Sequence, residues 1–83
     1  MMDTKQMYSF IKMRGFTHYT DVLGTYYNKG QHRLTINKQA QWYNCFYNVN
    51  DGFAWQLVSK SQTFDNFPAA LNWVVKEIEN HKL

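Results

Sequence analysis

The apolar residues of this chain keep two rhythms, and the change from one to the other marks out the elements. Near the start, Met7, Phe10 and Ile11 recur at helical spacing. Asp3 stands where a helix cap belongs, and Gln6, three residues on, completes a capping box. Gly15 is a stop signal, with Phe16 placed to pack back on the last turn. This spacing predicts a helix over residues 3–14. Residues 16–21 (Phe-Thr-His-Tyr-Thr-Asp) show no clear period. The run 22–27 is rich in β-formers but weakened by Gly24, and Asn28-Lys29-Gly30 reads as a turn. The period then becomes two: over 31–38, Leu34 and Ile36 alternate with Arg33, Thr35 and Asn37. Residues 41–49 are the most aromatic strand, Asn50-Asp51-Gly52 is a hairpin signal, and 53–60 is the returning strand. Helical spacing resumes with Phe67, Leu71, Val74, Val75 and Ile78, behind Asp65 or Asn66 as cap and Pro68 in the first turn. That predicts a helix over 66–80.

The order predicts one α+β domain over residues 1–83. Its sheet is a three- or four-stranded antiparallel meander, depending on whether 22–27 pairs, with an N-terminal and a C-terminal helix packed on it. The hairpin register decides which side chains share a face. A two-residue Asp51-Gly52 loop sets Val49 opposite Ala54; a three-residue loop with Gly52 left-handed sets Val49 opposite Phe53. The second puts Tyr43, Cys45, Tyr47, Val49, Phe53, Trp55 and Leu57 on one face. The other face then holds Trp42, Asn44, Phe46, Asn48, Ala54, Gln56, Val58 and Lys60. Apolar and polar residues segregate better this way, so burial favours the three-residue loop. The final helix then covers the first face. Arg33, Thr35 and Asn37 join the second face, where Trp42 and Phe46 are either covered by the first helix or form an aromatic-centred contact surface.

Composition narrows the function classes. Aromatics make up 18% of the 83 residues, and the net charge is only +3, the opposite of a disordered chain. Arg14 and Arg33 are the only arginines, and the lysines are scattered rather than gathered in a run. A dedicated nucleic-acid binder concentrates its cations, so this charge permits weak nucleic-acid contact without demanding it. Cys45 is the sole cysteine, which leaves no intrachain disulfide and favours a reducing compartment. Met1-Met2-Asp3-Thr4-Lys5 is not followed by the apolar stretch of a secretory signal, and no run is long enough to span a membrane. The expectation is a protein of the cytoplasm of a host cell, monomeric or homodimeric, with no membrane association.

Catalytic and metal chemistry find no foothold. His18, His32 and His81 are far apart, and none stands in metal-ligand spacing with Cys45. Cys45 lies mid-strand on the expected core face, where a small buried hydrophobe is the default. Asp51 and Asp65 serve turns and caps. Gly24, Gly30 and Gly52 are isolated and make no phosphate loop. No nucleophile stands beside a base, so no catalytic residue, metal or cofactor is expected.

Trp42, the Asp51-Gly52 turn, Thr63-Phe64, Ala70 and Trp73 follow one another in a strand, strand, strand, helix order. Over residues 42–78 this resembles the arm-type DNA-binding domain of tyrosine recombinases and the plant AP2 fold. That resemblance implies DNA reading from the exposed sheet face, where this chain offers Arg33 and Lys60, with Lys38 at the strand end. The helix, three strands, helix order also resembles double-stranded RNA-binding domains. That family opens its last helix with a basic cluster, whereas this chain has Asn66-Phe67-Pro68-Ala69-Ala70, so RNA binding is not expected. In general style the chain is similar to small phage proteins of the anti-CRISPR type. That likeness implies a non-enzymatic inhibitor that blocks a host defence machine, such as a nucleic-acid-processing complex, by docking on protein. The expected partner-binding residues are Trp42, Phe46, Arg33, Asn44, Asn48, Gln56 and Lys60. The alternative is an accessory nucleic-acid-binding protein using the same face.

Overall fold

The computed structural model describes residues 2–83. Helix α1 (Thr4–Met13) begins at the Asp3 cap, whose carboxylate accepts from Gln6 N at 2.8 Å while Asp3 N donates to the Gln6 side chain at 2.9 Å. Gly15, at φ 89°, ends the helix and turns Phe16 back into the core. Five antiparallel strands follow in sequence order: β1 (Thr17–Asp21), β2 (Gly24–Lys29), β3 (His32–Lys38), β4 (Tyr43–Asn50) and β5 (Trp55–Lys60). Helix α2 (Phe67–Asn80) closes the chain, capped by Asn66 Oδ1 accepting from Ala69 N at 2.9 Å.

Both helices pack on the same face of the sheet. Leu71, Val74, Val75 and Ile78 of α2 and Met7 and Ile11 of α1 form one core with Tyr27, Leu34, Ile36, Cys45 and Tyr47. Each Leu, Ile or Val so buried contributes about 1.5–3 kcal/mol. Helix α1 therefore lies beside α2 and does not form a second layer, so the opposite sheet face stays open.

The sheet has five strands where the sequence pattern suggested three or four. The doubtful run 22–27 is realised as β2, two residues later, and the unpatterned residues 16–21 contain β1. All five residues of β1 are exposed, so no burial periodicity was there to detect. Asp21 Oδ1 closes the β1–β2 turn by accepting from Leu23 N at 2.9 Å and Gly24 N at 3.2 Å.

The β4–β5 register corrects the expected three-residue loop. Residues 51–54 form a four-residue turn, so Asn50 stands opposite Trp55 and Val49 opposite Gln56 rather than Phe53. Asp51 holds it: its carboxylate accepts from Phe53 N at 2.9 Å, Ala54 N at 3.0 Å and the Gln56 amide at 3.0 Å. Those donors, Ala54 first, keep the carboxyl below its usual range. Trp55 and Leu57 consequently face out instead of into the core, Gln56 faces the helix side, and Phe53 is 99% exposed at the loop tip. The ladder shifts between Tyr47 and Asn48, leaving Val58 as the extra residue of a bulge. That shift restores parity, and Lys60 lies opposite Phe46 on the outer face as expected.

Two substitutions separate core from surface. Leu71→Ala should lower the unfolding free energy by about 2–5 kcal/mol, whereas Leu57→Ala should stay within about 0.5 kcal/mol. Gly24 tolerates no side chain: its φ is 154°, and a β-carbon there would stand 2.0 Å from the Ile36 carbonyl oxygen. Gly24→Ala should cost more than about 2 kcal/mol. Urea unfolding of the three variants measures all of these differences.

Candidate functional site

The open sheet face is built from alternate residues of every strand. Register places Tyr19 beside Tyr26, Tyr26 beside Thr35, and Arg33 between Asn28 and Asn48. Asn44 and Phe46 lie opposite Asn37 and Thr35, and Trp55, Leu57 and Lys60 line β5 opposite Asn50, Asn48 and Phe46. The rings of Tyr19 and Tyr26 stack at 4.7 Å. The Arg33 guanidinium sits 5.8 Å from the Tyr26 ring and 4.3 Å from the Trp55 ring, a distance at which cation–π attraction is strong. Arg33 Nε also donates to Asn28 Oδ1 at 2.8 Å.

A continuous ladder, Tyr19–Tyr26–Arg33–Trp55, thus crosses the sheet from β1 to β5, a span of about 19 Å at the usual strand spacing. Arg33 and Trp55 meet across β4 because the residues between them, Asn48 and Asn50, are short. Trp55 remains 41% exposed and Leu57 56%. Charge is sparse on this face: Arg33 is central, Lys60 and Asp21 are peripheral, and Asp21 is committed to its turn.

Of the residues expected from sequence, Arg33, Asn44, Phe46, Asn48 and Lys60 are brought together here. Trp42 lies in the β3–β4 turn just before β4, 45% exposed, and its carbonyl accepts from Gln39 N at 2.8 Å. Gln56 is not on the face; it serves the Asp51 loop. The pattern missed Tyr19 and Tyr26, because β1 and β2 were not resolved as a pair, and it placed Trp55 and Leu57 inside. A usable signal was present in Asp51 followed by Gln56, a carboxylate able to collect loop donors.

The helix side carries a polar cluster, but not in a nucleophilic arrangement. Ser59 Oγ donates to Glu77 Oε1, and His81 Nε2 lies 3.6 Å from that same oxygen. The serine is bonded to an acid, with the imidazole on the far side of it. His32 Nδ1 is hydrogen-bonded to Tyr47 OH at 2.8 Å. Among the described residues no three His, Cys, Asp or Glu side chains cluster so as to hold a metal ion, and no helix is long and apolar enough to cross a membrane. The chain has no match among known protein families, curated proteins or solved structures.

Cys45 is enclosed beneath α2, its Sγ donating to the Ala70 carbonyl at 3.6 Å. Burial pushes the thiol up to about 12, only partly opposed by Ser61. At neutral pH a disulfide-exchange reagent should therefore leave the folded protein unmodified and titrate a single thiol only on unfolding. The folded state also keeps this proton longer than the unfolded chain does. Its effect on stability should thus be unfavourable and growing as pH rises from 9.0 toward about 12. Rapid thiol labelling under native conditions would contradict the enclosed position.

Proposed function

We propose that this chain is a non-enzymatic docking protein whose open sheet face binds a protein surface presenting an acidic group within an apolar surround. The supporting observation is Arg33 held between Tyr26 and Trp55 at the centre of a face nearly free of other charge. Interface cores are depleted in Lys, Asp and Glu and enriched in Tyr, Trp, Phe and Arg, which is the composition found here. Asn37 and Asn48 add short amides able to pair with a partner's backbone, while the amide oxygens of Asn28 and Asn50 are taken by Arg33 Nε and Gly52 N. The specific role within this class is inhibition by occlusion of a host defence complex, by a protein of phage or mobile-element origin. It rests on the similarity of style described above.

The second reading is nucleic-acid binding, favoured by the exposed flat rings of Tyr19 and Trp55, on which bases could stack. It is weaker on charge: Arg33 and Lys60 can displace few phosphate counterions, so affinity would be low and strongly salt-dependent.

The readings separate on one set of variants. Trp55→Ala and Arg33→Ala should change stability by no more than about 1 kcal/mol, yet Trp55→Ala should weaken docking by about 2 kcal/mol, roughly thirtyfold. A photoreactive residue at Leu57 should crosslink to a host protein in nuclease-treated lysate, and Trp55→Ala should abolish that crosslink. Crosslinks that vanish with nuclease, together with tight oligonucleotide binding at physiological salt, would establish the second reading instead.

A further inference from the structure

Strand β1 is an edge of the sheet, and its register decides which of its backbone groups are unpaired. Asp21 opposite Gly24 closes a two-residue turn, so that pair exchanges backbone hydrogen bonds. The alternation carries on through Tyr19 with Tyr26 and Thr17 with Asn28. The N–H and C=O groups of His18 and Thr20 therefore point away from β2, with no strand of the described residues beside them. These two residues flank Tyr19 evenly. Turned about a twofold axis at Tyr19, the strand sets His18 against Thr20 of a second copy and Thr20 against His18, and every outward group finds a partner.

The two ends of this edge differ, and they fit one another. At one end the β1–β2 turn presents Val22, 94% exposed, and Leu23, also exposed. The turn is firmly held: Asp21 Oδ1 accepts from Leu23 N and Gly24 N, and the Leu23 carbonyl accepts from Lys38 N at 2.8 Å. At the other end, beside Thr17, a cavity opens between α1 and the hairpin, with apolar walls from Tyr8, Ile11 and Phe16 and with Lys12 at its rim. Pairing centred on Tyr19 sets Asp21 opposite Thr17 of the second copy and brings Val22 opposite Phe16. Val22 shares a pocket wall with Ile36 and Phe67, so it lies on the helix side, where that cavity also opens. Each copy thus delivers an exposed apolar tip to the cavity of the other. No like charges meet, because Asp21 is the only carboxylate on β1 and it falls opposite a threonine.

We infer that the chain pairs with a second copy of itself, β1 against β1, in a twofold dimer whose two sheets join into one. Val22 of each copy occupies the cavity beside α1 of the other. Tyr19 meets its own counterpart on the outer side, so the Tyr26–Tyr19 stack continues across the axis. The two open faces then lie next to one another on one side of the joined sheet. Assembly stops at two chains, since the edges left over are β5 strands interrupted by the Val58 bulge. The pairing uses β1 and α1 and does not rest on the docking proposed for the open face.

Sedimentation equilibrium of the full chain should show a reversible monomer–dimer equilibrium in the micromolar range. Thr20→Pro removes an outward N–H from the edge and should leave monomer only. Val22→Lys alters a side chain too exposed to matter for folding and sets a cation against Lys12 of the second copy. It should weaken the dimer about tenfold with the far-ultraviolet circular dichroism unchanged. Trp55→Ala should leave the dimer intact. A disulfide reports the register, because α-carbons of a non-hydrogen-bonded antiparallel pair stand about 4.5 Å apart, within disulfide reach. Tyr19→Cys should oxidise to a linked dimer, and Val58→Cys on the far edge should not. A chain that stays monomeric at millimolar concentration overturns the inference. So does a dimer that survives either Thr20→Pro or Val22→Lys, or Tyr19→Cys linking no faster than Val58→Cys.

Discussion

Everything in this molecule follows from two helices closing the core of a five-stranded sheet from one side. Packed helices lie about 9 Å apart, close to two strand spacings of about 4.8 Å. They therefore cover the middle of the sheet and leave its edges overhanging. Burial tracks this geometry: β2, β3 and β4 carry the core residues, β1 is exposed throughout, and β5 is exposed except at Ser59. The stripe Leu71, Val74, Val75 and Ile78 against Leu34, Ile36, Cys45 and Tyr47 is the contact without which neither the open face nor the cavity beside α1 would exist.

The same geometry explains what could be read from the residues alone. Both helices were legible because each carries an apolar stripe and its own cap, Asp3 with Gln6 and Asn66 with Pro68. Strands β3 and β4 were legible because one side of each is buried, which imposes a period of two. At the edges, β5 was legible as a strand over 53–60 though not in its register, and β1 was not legible at all. A segment exposed on both sides has no period, so Thr17–Asp21 looked like loop. In β5 burial is weak: on the helix side Gln56 is exposed and Ser59 is half-buried, bonded to Glu77 of α2, so Asp51 sets the register through its loop hydrogen bonds. The outer face was thus half legible. Arg33, Asn44, Phe46, Asn48 and Lys60 follow from β3, β4 and the parity restored by the bulge, while Tyr19, Tyr26, Trp55 and Leu57 depend on the two edges.

An uncovered sheet face and two free edges invite open-ended self-association, and the chain counters both. Strand β1 is short and polar, and β5 is broken by the Val58 bulge and begins and ends within the six residues Trp55–Lys60. On the face, aromatic rings are not left as an apolar sheet: Arg33 stacks on Trp55 and Tyr26, and asparagines occupy the positions between. The surface stays wettable while its large side chains remain in place.

That arrangement also bears on the proposed docking. A free arginine on a sheet surface samples many rotamers, and fixing it on association costs about 0.5–1.5 kcal/mol. Here Arg33 is already restrained from both sides by rings and tethered through Nε to Asn28. Much of that entropy is lost on folding instead, where the stacking contacts offset it. The hydrogen-bond donors of the guanidinium that Asn28 does not take stay free for an acceptor, which would meet them fixed in direction. The Trp55 ring likewise is held by Arg33, so in the proposed docking it would need little reordering. The contacts that make an uncovered face wettable are therefore the ones that would preorganise it for the proposed docking, and a single stacked pair across β4 would serve both needs.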